Sequence, residues 1–435
     1  MSVFAKAPAS RSVRAVVTGV AMLGVSALLL TGCSGTSDPV ETDDAATVVD
    51  DGAFAEVAAG DRALNLKIGT LLPESGALAF LGPPEIAGVN LALKDISEAG
   101  LGLEVEALFR DSGDTTTDTA TGSVTDLLGE GVSAIVGAAS SGVSKTVIDQ
   151  IVSAGVVQFS PANTSEEFTE YADDDYYWRT APSDLLQGAE LGNLIANDGN
   201  QTLGLIVLND AYGTGLEAST TAAFEAAGGE VVASALFNEG DPNFAAQIAE
   251  VTAADPDAIA LITFEQAKVI VPALVGTGGF PGDKLYFVDG NLSDFSADFE
   301  PGLIEGSKGT LPGLDVNTLG DFTDRLLEVD PSLTDFSYAA ESYDAVTLLA
   351  LAAFAGNDTS GETLKTYLRQ VSGGTGEGVK VTTFAEGAAE LAQGNQIDYD
   401  GLSGPVDFDE RGDPQDATIG KYIFDAENKY SRIAD

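Results

Sequence analysis

The stretch Ile135-Val-Gly-Ala-Ala-Ser-Ser-Gly-Val-Ser144 indicates the fold class. It opens with a short apolar run, passes through small residues, and then carries serines that precede further apolar residues. A short apolar run beside glycine predicts a buried strand, and serine is a residue type that commonly opens a helix. The stretch therefore predicts a strand that passes directly into a helix.

The same alternation of strands and helices begins at about residue 65. Ile86, Val89, Leu93 and Ile96 recur at three- and four-residue steps, which predicts a helix with one apolar face. Such alternation favours parallel sheets covered by helices, whose ligands bind at the carboxyl ends of the strands. We predict strands over 66–72, 103–109, 134–136, 156–159, 203–208, 231–237, 258–262 and 285–288, and helices over about 143–154, 184–197, 214–227, 243–253, 265–277 and 338–352.

The N-terminus has the features of an export signal. Three basic residues precede an almost wholly apolar run at 15–30, which ends in Leu30-Thr31-Gly32-Cys33. This order is typical of a secretory signal, and the run is short for a bilayer span of about 20 residues. Its ending resembles a bacterial lipobox, in which the cysteine is acylated and becomes the new N-terminus. We predict a signal peptide over 1–32 and lipidation of Cys33, because a plain signal or membrane anchor leaves the chain's only cysteine unexplained.

Composition excludes several classes of function. The 435 residues contain no histidine and carry a net charge of −48, which disfavours a nucleic-acid partner. Without histidine or cysteine pairs, Ser-His-Asp and Cys-His catalysis and the common zinc sites are impossible. No phosphate-binding loop and no calcium-loop pattern occurs, so we predict no metal and no cofactor. The acids are spread along the chain, which favours a hydrated acidic surface suited to solubility and to high salt.

Further segments resemble the opening stretch in lying where predicted strands end and helices begin. They cover 68–76 with 80–82, 159–164, 177–184, 209–213 and 288–290. In order and content these segments resemble the periplasmic solute-binding proteins of the branched-chain amino acid and amide type, the receptor subunits of ABC importers. The tail at 399–409 is similar as well, and the resemblance covers nearly all of residues 65–425.

The resemblance implies an α/β fold with two lobes, each a parallel-rich sheet flanked by helices, joined by a three-crossover hinge. A chain of this length also favours two cores on general grounds. We assign 33–64 to a lipid-anchored flexible acidic tether, 65–183 with 312–400 to the first lobe, 184–311 with 401–425 to the second lobe, and 426–435 to a C-terminal tail.

Two serines are candidates for binding an anionic group. Ser140 and Ser141 follow a strand and open a helix, where hydroxyl and backbone N–H groups suit a carboxylate. The alternative is that they only cap the helix. The resemblance implies that Ser141 contacts the α-carboxylate of the ligand.

Other polar candidates come from the resemblance. It implies that the Ala162 carbonyl and the Thr164 hydroxyl hold the ammonium and carboxylate of an amino acid, with Asp289 against the ammonium. An acid facing an ammonium in a closed cleft makes a strong charge-assisted pair. The alternatives are that Ala162 and Thr164 only form an ordinary turn after Ser160-Pro161, and that Asp289 is one more surface acid.

Tyr212 is expected to complete the clamp from the second lobe, unless it is a core residue. Asp184 matches a position near the hinge and the ligand, and it could equally cap the helix at 184–197. Phe80, Leu81 and Phe264 are expected to line the pocket for the ligand's side chain. At the position of Leu81 some relatives have a bulky aromatic residue, so a leucine-type ligand is not assured. The alternative for Phe264 is that it is a core residue.

The predicted function is capture of a solute, most simply a branched-chain or similar amino acid, rather than catalysis. Ser141, Thr164 and Asp289 are expected on the first lobe, and the second lobe then closes with Tyr212. The expected partners are an ABC permease with its ATPase subunits and, through the Cys33 lipid, the extracellular face of a membrane, as in a Gram-positive cell. The alternatives are urea, a short amide or an aromatic acid as ligand, a sensor without transport, and a surface hydrolase, for which no nucleophile and base are found.

Overall fold

The computed structural model describes residues 61–277, 279–315, 318–376 and 378–433. The predicted signal peptide, Cys33 and most of the predicted tether lie outside these residues. Within them the chain forms two lobes, each a sheet flanked by helices, so the predicted fold class is confirmed. None of the helices in the described part of the chain is both long and apolar enough to cross a membrane.

The two lobes are built on separate sheets. The strands are, in chain order, β1 Leu64–Leu72, β2 Leu103–Asp111, β3 Ala134–Gly137, β4 Val157–Ser160, β5 Tyr177–Arg179, β6 Thr202–Leu208, β7 Glu230–Phe237, β8 Ala258–Ile262, β9 Leu285–Phe287, β10 Lys308–Pro312, β11 Val379–Val381, β12 Ile397–Tyr399, β13 Ile419–Phe424 and β14 Tyr430–Arg432. The first sheet has the order β2-β1-β3-β4-β5, and all of its pairs are parallel. The second has the order β14-β13-β10-β9-β8-β6-β7, in which β13 runs antiparallel to both of its neighbours. Strands β11 and β12 form a separate parallel pair.

Helices cover both sheets. They are α1 Gly82–Ala99, α2 Thr119–Gly129, α3 Ser141–Val152, α4 Asp184–Asn197, α5 Ala211–Ala226, α6 Ala245–Ala253, α7 Ala267–Pro272, α8 Phe322–Val329, α9 Ala339–Gly356, α10 Gly361–Val371 and α11 Phe384–Leu391. The chain crosses between lobes after β5, after β10 and before β13. These crossings bring the carboxyl ends of strands from both sheets to one cleft.

Helix α9 is the centre of the first lobe. Its residues from Ala339 to Ala355 are all buried, as expected for a helix that is apolar on every side. Helices α1, α10 and α11 pack against it. A Cβ at Gly88 of α1 would collide with the Ala339 carbonyl oxygen, so glycine is what permits these two helices to approach so closely.

Strands predicted from apolar runs begin and end within two residues of those observed. The short strands β5, β10 and β11 to β14 were not predicted, because runs of three to six residues carry little periodicity. The turn signal Gly412-Asp413 predicts a short strand before it, within 399–413, and this prediction is wrong. The structure has only isolated bridges there, from Asp400 to Pro405 and from Phe408 to Pro414.

Three segments lie differently from the proposed division of the chain. Arg62, assigned to the tether, lies 3.8 Å from the centre of the Phe354 ring, and β1 already begins at Leu64. Phe408, assigned to the second lobe, packs edge-on against Trp178 in the core of the first lobe. The segment assigned to a C-terminal tail contributes β14 to the second sheet.

Candidate functional site

A small cavity of about 10 Å³ lies in the cleft between the lobes. Residues from the first lobe and from the second lobe both line it: Leu78, Leu81, Ala139, Ser140, Ser141, Ala162, Tyr212, Phe264, Asp289, Gly290 and Tyr338. This volume is close to the space needed by one water molecule. The structure therefore brings most of the predicted site residues together in a closed cleft.

The β3–α3 junction supplies the predicted anion contacts. Ser140 is the N-cap of α3, and its Oγ accepts a hydrogen bond from the Val143 N–H, so the capping role is real. The Ser141 Oγ accepts from the Ser165 N–H at 3.3 Å. This bond joins the start of α3 to the turn after β4, and it holds both segments at the cavity.

The turn after β4 is fastened to β3 by side chains. The Asn163 Nδ2 donates to the carbonyl oxygens of Ala138 and Ala139, and the Ser160 Oγ donates to Ala138 as well. Thr164 is buried in this turn but does not line the small cavity, and its carbonyl accepts the Asp184 N–H at 2.7 Å.

Asp289 is the most strongly hydrogen-bonded acid of the cavity. Its Oδ1 accepts from the Tyr212 hydroxyl at 2.6 Å and from the Gln187 Nε2 at 2.9 Å, and its Oδ2 accepts from the Tyr338 hydroxyl at 2.8 Å. Burial raises the pKa of Asp289, and these hydrogen bonds oppose that rise. The site therefore places a fully enclosed acid among three neutral donors.

The two predictions for Asp289 disagree, because the division of the chain places it in the second lobe and the expected mode of capture places it on the first, and the structure shows that the second of these predictions is wrong. Asp289 follows β9, which belongs to the second sheet, and therefore comes from the same lobe as Tyr212. The acid consequently faces Ser140 and Ser141 across the cleft rather than standing beside them.

Two residues of the site were not predicted. Tyr338 precedes α9 with a φ of 59°, a left-handed conformation that is uncommon outside glycine, and its hydroxyl reaches Asp289. Gln187 lies one turn after Asp184 on α4. The sequence offered a signal in each case, since Tyr338 opens the long buried helix and Gln187 is three residues beyond a predicted site residue.

Asp184 is completely buried at the start of α4, but Ser183 caps this helix instead. Burial, and then the charge of Asp289, raise the pKa of Asp184 well above its ordinary value, while the Thr164 hydroxyl and Arg179 oppose the rise. Neither carboxylate oxygen accepts a hydrogen bond of normal geometry from the described residues. Asp184 is therefore an enclosed acid beside Asp289 rather than a helix cap.

A buried ion pair supports the turn after β4 from behind. The Arg179 guanidinium donates to both oxygens of Asp413, at 2.6 and 2.7 Å, and to the carbonyl oxygens of Asn163 and Ser165. A bidentate pair of this kind fixes both distance and orientation. Arg179 thus ties the turn that carries Thr164 to the segment that precedes β13.

Aromatic and aliphatic side chains form the rest of the cavity. The rings of Tyr212 and Phe264 stack with their centres 5.4 Å apart, and Leu81 is buried against the same space. Phe80 lines a separate cavity of about 570 Å³ instead, so it does not belong to the small cavity as predicted. Tyr338 lines both cavities.

Hydrogen bonds between the lobes hold the cleft closed in this structure. The Ser165 Oγ donates to the Ala211 carbonyl at 2.8 Å, and the Thr115 N–H donates to a carboxylate oxygen of Glu239 at 3.0 Å. The described residues contain no group of three acids, histidines or cysteines placed to hold a metal ion.

Comparisons with known proteins bear on the family and the fold of the chain. A family model described as periplasmic binding protein matches residues 65–418. A chemotactic signal transduction substrate-binding protein, BasB of Halobacterium salinarum, is 25% identical over 82% of this chain and 87% of its own. A Leu/Ile/Val-binding protein homologue of Brucella suis is 26% identical over 68% of this chain and 79% of its own.

Three solved structures share the fold. A leucine-binding protein, LivK of Thermotoga maritima, gives a TM-score of 0.70 at 20% identity, covering 85% of this chain and 98% of its own. LivJ of Streptococcus pneumoniae, in complex with isoleucine, gives 0.68 at 23% identity, covering 85% of this chain and 100% of its own. A Rhodopseudomonas palustris solute-binding protein in complex with benzoate gives 0.66 at 19% identity, covering 85% of this chain and 96% of its own.

Proposed function

The chain belongs to the periplasmic binding protein family, whose members are solute-binding receptors rather than enzymes, and we propose that it captures an amino acid for an ABC importer. Proteins of this family deliver small solutes to permease and ATPase components. The proposal for this chain adds the class of ligand, the roles of the site residues and the anchor.

The observation that carries the proposal is the pairing of opposite polarities across the cleft. Ser140 and Ser141 present hydroxyl and N–H groups at the start of α3, which suit the carboxylate of an amino acid. Asp289 stands on the other lobe and suits its ammonium group. A zwitterion that reaches both sides favours the closed state over the open state, and this difference drives closure.

The apolar part of the cavity favours an apolar side chain. Tyr212, Phe264 and Leu81 would enclose it, with Ala162 and Thr164 contributing the backbone carbonyl and hydroxyl of the turn. A cavity of about 10 Å³ is too small for an amino acid, so entry requires that the lobes separate and close again around the ligand.

A second candidate ligand keeps the same fold. Three protein donors already hold the Asp289 carboxylate, so an uncharged amide or an aromatic acid could bind without an ammonium group. One relative of this fold has been solved with benzoate. The two candidates differ in whether Asp289 contributes to affinity.

The location and partners are also part of the proposal. The N-terminal sequence supports export, cleavage before Cys33 and lipid anchoring at the outer face of a membrane, beside a permease. Such an anchor suits a cell without an outer membrane, such as a Gram-positive cell.

Titration calorimetry with leucine, valine, urea and benzoate tests the ligand. We expect leucine or valine to bind and Asp289→Ala to weaken this binding by about tenfold or more, since a charge-assisted bond contributes about 1.5–3 kcal/mol. Asp283→Ala, an exposed acid before β9, is the control and should leave affinity unchanged. Small-angle scattering of the same samples should show a smaller radius of gyration with ligand. Unchanged amino-acid affinity in Asp289→Ala would refute the ammonium assignment.

A further inference from the structure

The cavity of about 570 Å³ has no role in the site described so far. Phe80, Pro83 and Glu341 line it from the first lobe, and Leu311 and Tyr422 line it from the second lobe. Its volume lies within the range of about 300–1,000 Å³ that is usual for small-molecule sites. The small cavity alone is far below that range.

Tyr338 lies between the two cavities, because it lines both of them. Its hydroxyl is held by the Asp289 Oδ2. An α-ammonium group that binds Asp289 can take the place of this hydroxyl. Tyr338 would then be released, and the solute's side chain could extend past it into the larger cavity.

Glu341 supplies the buried charge of the larger cavity. It lies one turn after Tyr338 on α9, and only 5% of its surface is exposed. Behind it lies Glu85 of α1, which is completely buried, and whose two carboxylate oxygens have no hydrogen-bond partner among the described residues. Glu341 lines the cavity and Glu85 does not, and neither acid forms an ion pair with a basic side chain among the described residues, so a cation at this end of the cavity would meet the carboxyl group of Glu341.

The basic residues of the larger cavity lie nearer its rim. Lys429 is exposed, and Lys268 is half-buried and forms an ion pair with Glu265 at 3.0 Å. The half-buried Arg432 donates to the Gly313 carbonyl. The exposed Asp294 and the half-buried Asp315 and Asp335 line the cavity as well, so charges of both signs lie towards solvent, whereas Glu341 is the charged lining residue at its buried end.

We propose that the larger cavity receives the distal end of the solute and that Glu341 binds a cationic group there. The ligand class is then an α-amino acid with a long basic side chain. This inference rests on the proposed function, because it places the α-carboxylate at Ser141 and the α-ammonium at Asp289.

The ionisation of Glu341 is consistent with this role. Burial, followed by the charge of Asp344, raises the pKa of Glu341 to about 8. A cation in contact with it favours the ionised form and displaces the proton. The titratable and charged groups that face it are Glu85 from α1, Asp344 from its own helix, Tyr338 before that helix, Tyr422 from β13, Arg432 from β14 and Asp315 after β10.

L-arginine and L-citrulline test the inference, because they have the same length and differ in the charge of the terminal group. Calorimetry on the full-length protein in detergent should show at least about tenfold tighter binding of arginine. Glu341→Gln should bring the affinities for arginine and citrulline to within about twofold of each other, because the variant keeps the shape of the side chain and removes its negative charge. Glu328→Gln, the same change at an exposed site on α8, is the matched control and should keep the preference. Equal affinities for arginine and citrulline in the unmodified protein would overturn the inference.

The pH dependence of the unmodified protein provides a test that needs no variant. Between pH 6 and 8 the ratio of arginine to citrulline affinity should rise, by at most about tenfold per pH unit, and it should level off above about pH 8. A ratio that stays constant from pH 6 to 9 contradicts the role of Glu341. If leucine binds and arginine has no advantage, only this inference fails, whereas if leucine, citrulline and arginine all fail to bind, the proposed function fails with it.

Discussion

Glu85 is completely buried on α1 without a hydrogen-bond partner among the described residues, and its pKa is raised well above its ordinary value by burial and by the nearby Glu341. An acid whose pKa is higher in the folded state than in the unfolded state binds more protons when folded. Folding is therefore most favoured below the unfolded-state pKa of about 4.3, and this advantage is lost as the pH rises through the folded-state pKa.

Glu85→Gln should reduce the loss of folding stability that accompanies a rise in pH. We expect the free energy of unfolding to fall less between pH 5 and pH 9 in the variant than in the unmodified protein, by about 1–3 kcal/mol, because the variant has no charge to bury. Urea unfolding at the two pH values measures the difference. Glu98→Gln, an exposed acid on the same helix, should show no such change. An identical pH dependence in Glu85→Gln and the unmodified protein would show that Glu85 titrates normally.

Arg179 and Asp413 form a buried ion pair, in which each charge has a partner of opposite sign. Asp413→Ala leaves the guanidinium of Arg179 enclosed without its acid, and we expect a loss of about 3–5 kcal/mol in the free energy of unfolding. Arg411→Ala removes an exposed ion pair with Glu170 from the same segment and should cost less than about 1 kcal/mol. Denaturant unfolding of the two variants compares them, and similar losses in both would argue against a special role for the buried pair.

At the scale of elements, the close approach of α1 to α9 positions the residues of the first lobe that line the larger cavity. Gly88→Ala adds a methyl group against the Ala339 carbonyl, and we expect a loss of about 1–3 kcal/mol. Gly122→Ala on α2 is the matched control, since its Cβ meets nothing within 4 Å and should stabilise the helix by about 0.4–1 kcal/mol. Thermal unfolding distinguishes the two, and a gain in both variants would mean that the helices have room to separate.

The junctions of strands and helices explain why the site lies where it does. The start of α3, the turn after β4 and the segment after β9 all lie at carboxyl ends of parallel strands. The first backbone N–H groups of a helix have no partner within the helix, so those at the start of α3 are available to an anion at that edge. The position of the site is therefore a consequence of two sheets whose parallel strands end at the same cleft.

At the scale of the whole molecule, the proposed lipid on Cys33 would hold the protein at the membrane surface, where capture would then take place. Cys33→Ser should prevent acylation, so that the protein partitions into the aqueous phase in detergent phase separation, while the affinity for ligand stays within about twofold. Fatty-acid labelling of the expressed protein provides the second measurement. Labelling that persists in Cys33→Ser would place the lipid elsewhere.

The amino-acid sequence by itself determined the α/β alternation, the two lobes and the strand ends that carry Ser141, Ala162, Tyr212 and Asp289. It could do so because apolar runs and helix-opening residues are local patterns with recognisable periods. Composition by itself also excluded catalytic sites that need histidine.

Only the tertiary structure decided which lobe carries Asp289, that Tyr338 and Gln187 hold it, and that Arg179 pairs with Asp413. Each of these contacts joins residues far apart in the chain, and no local pattern specifies such a partner. The same holds for Phe408 in the first lobe and for β14 in the second sheet, whose positions depend on where three crossovers return the chain. Local periodicity determines which elements form, whereas packing of distant segments determines which side chains meet.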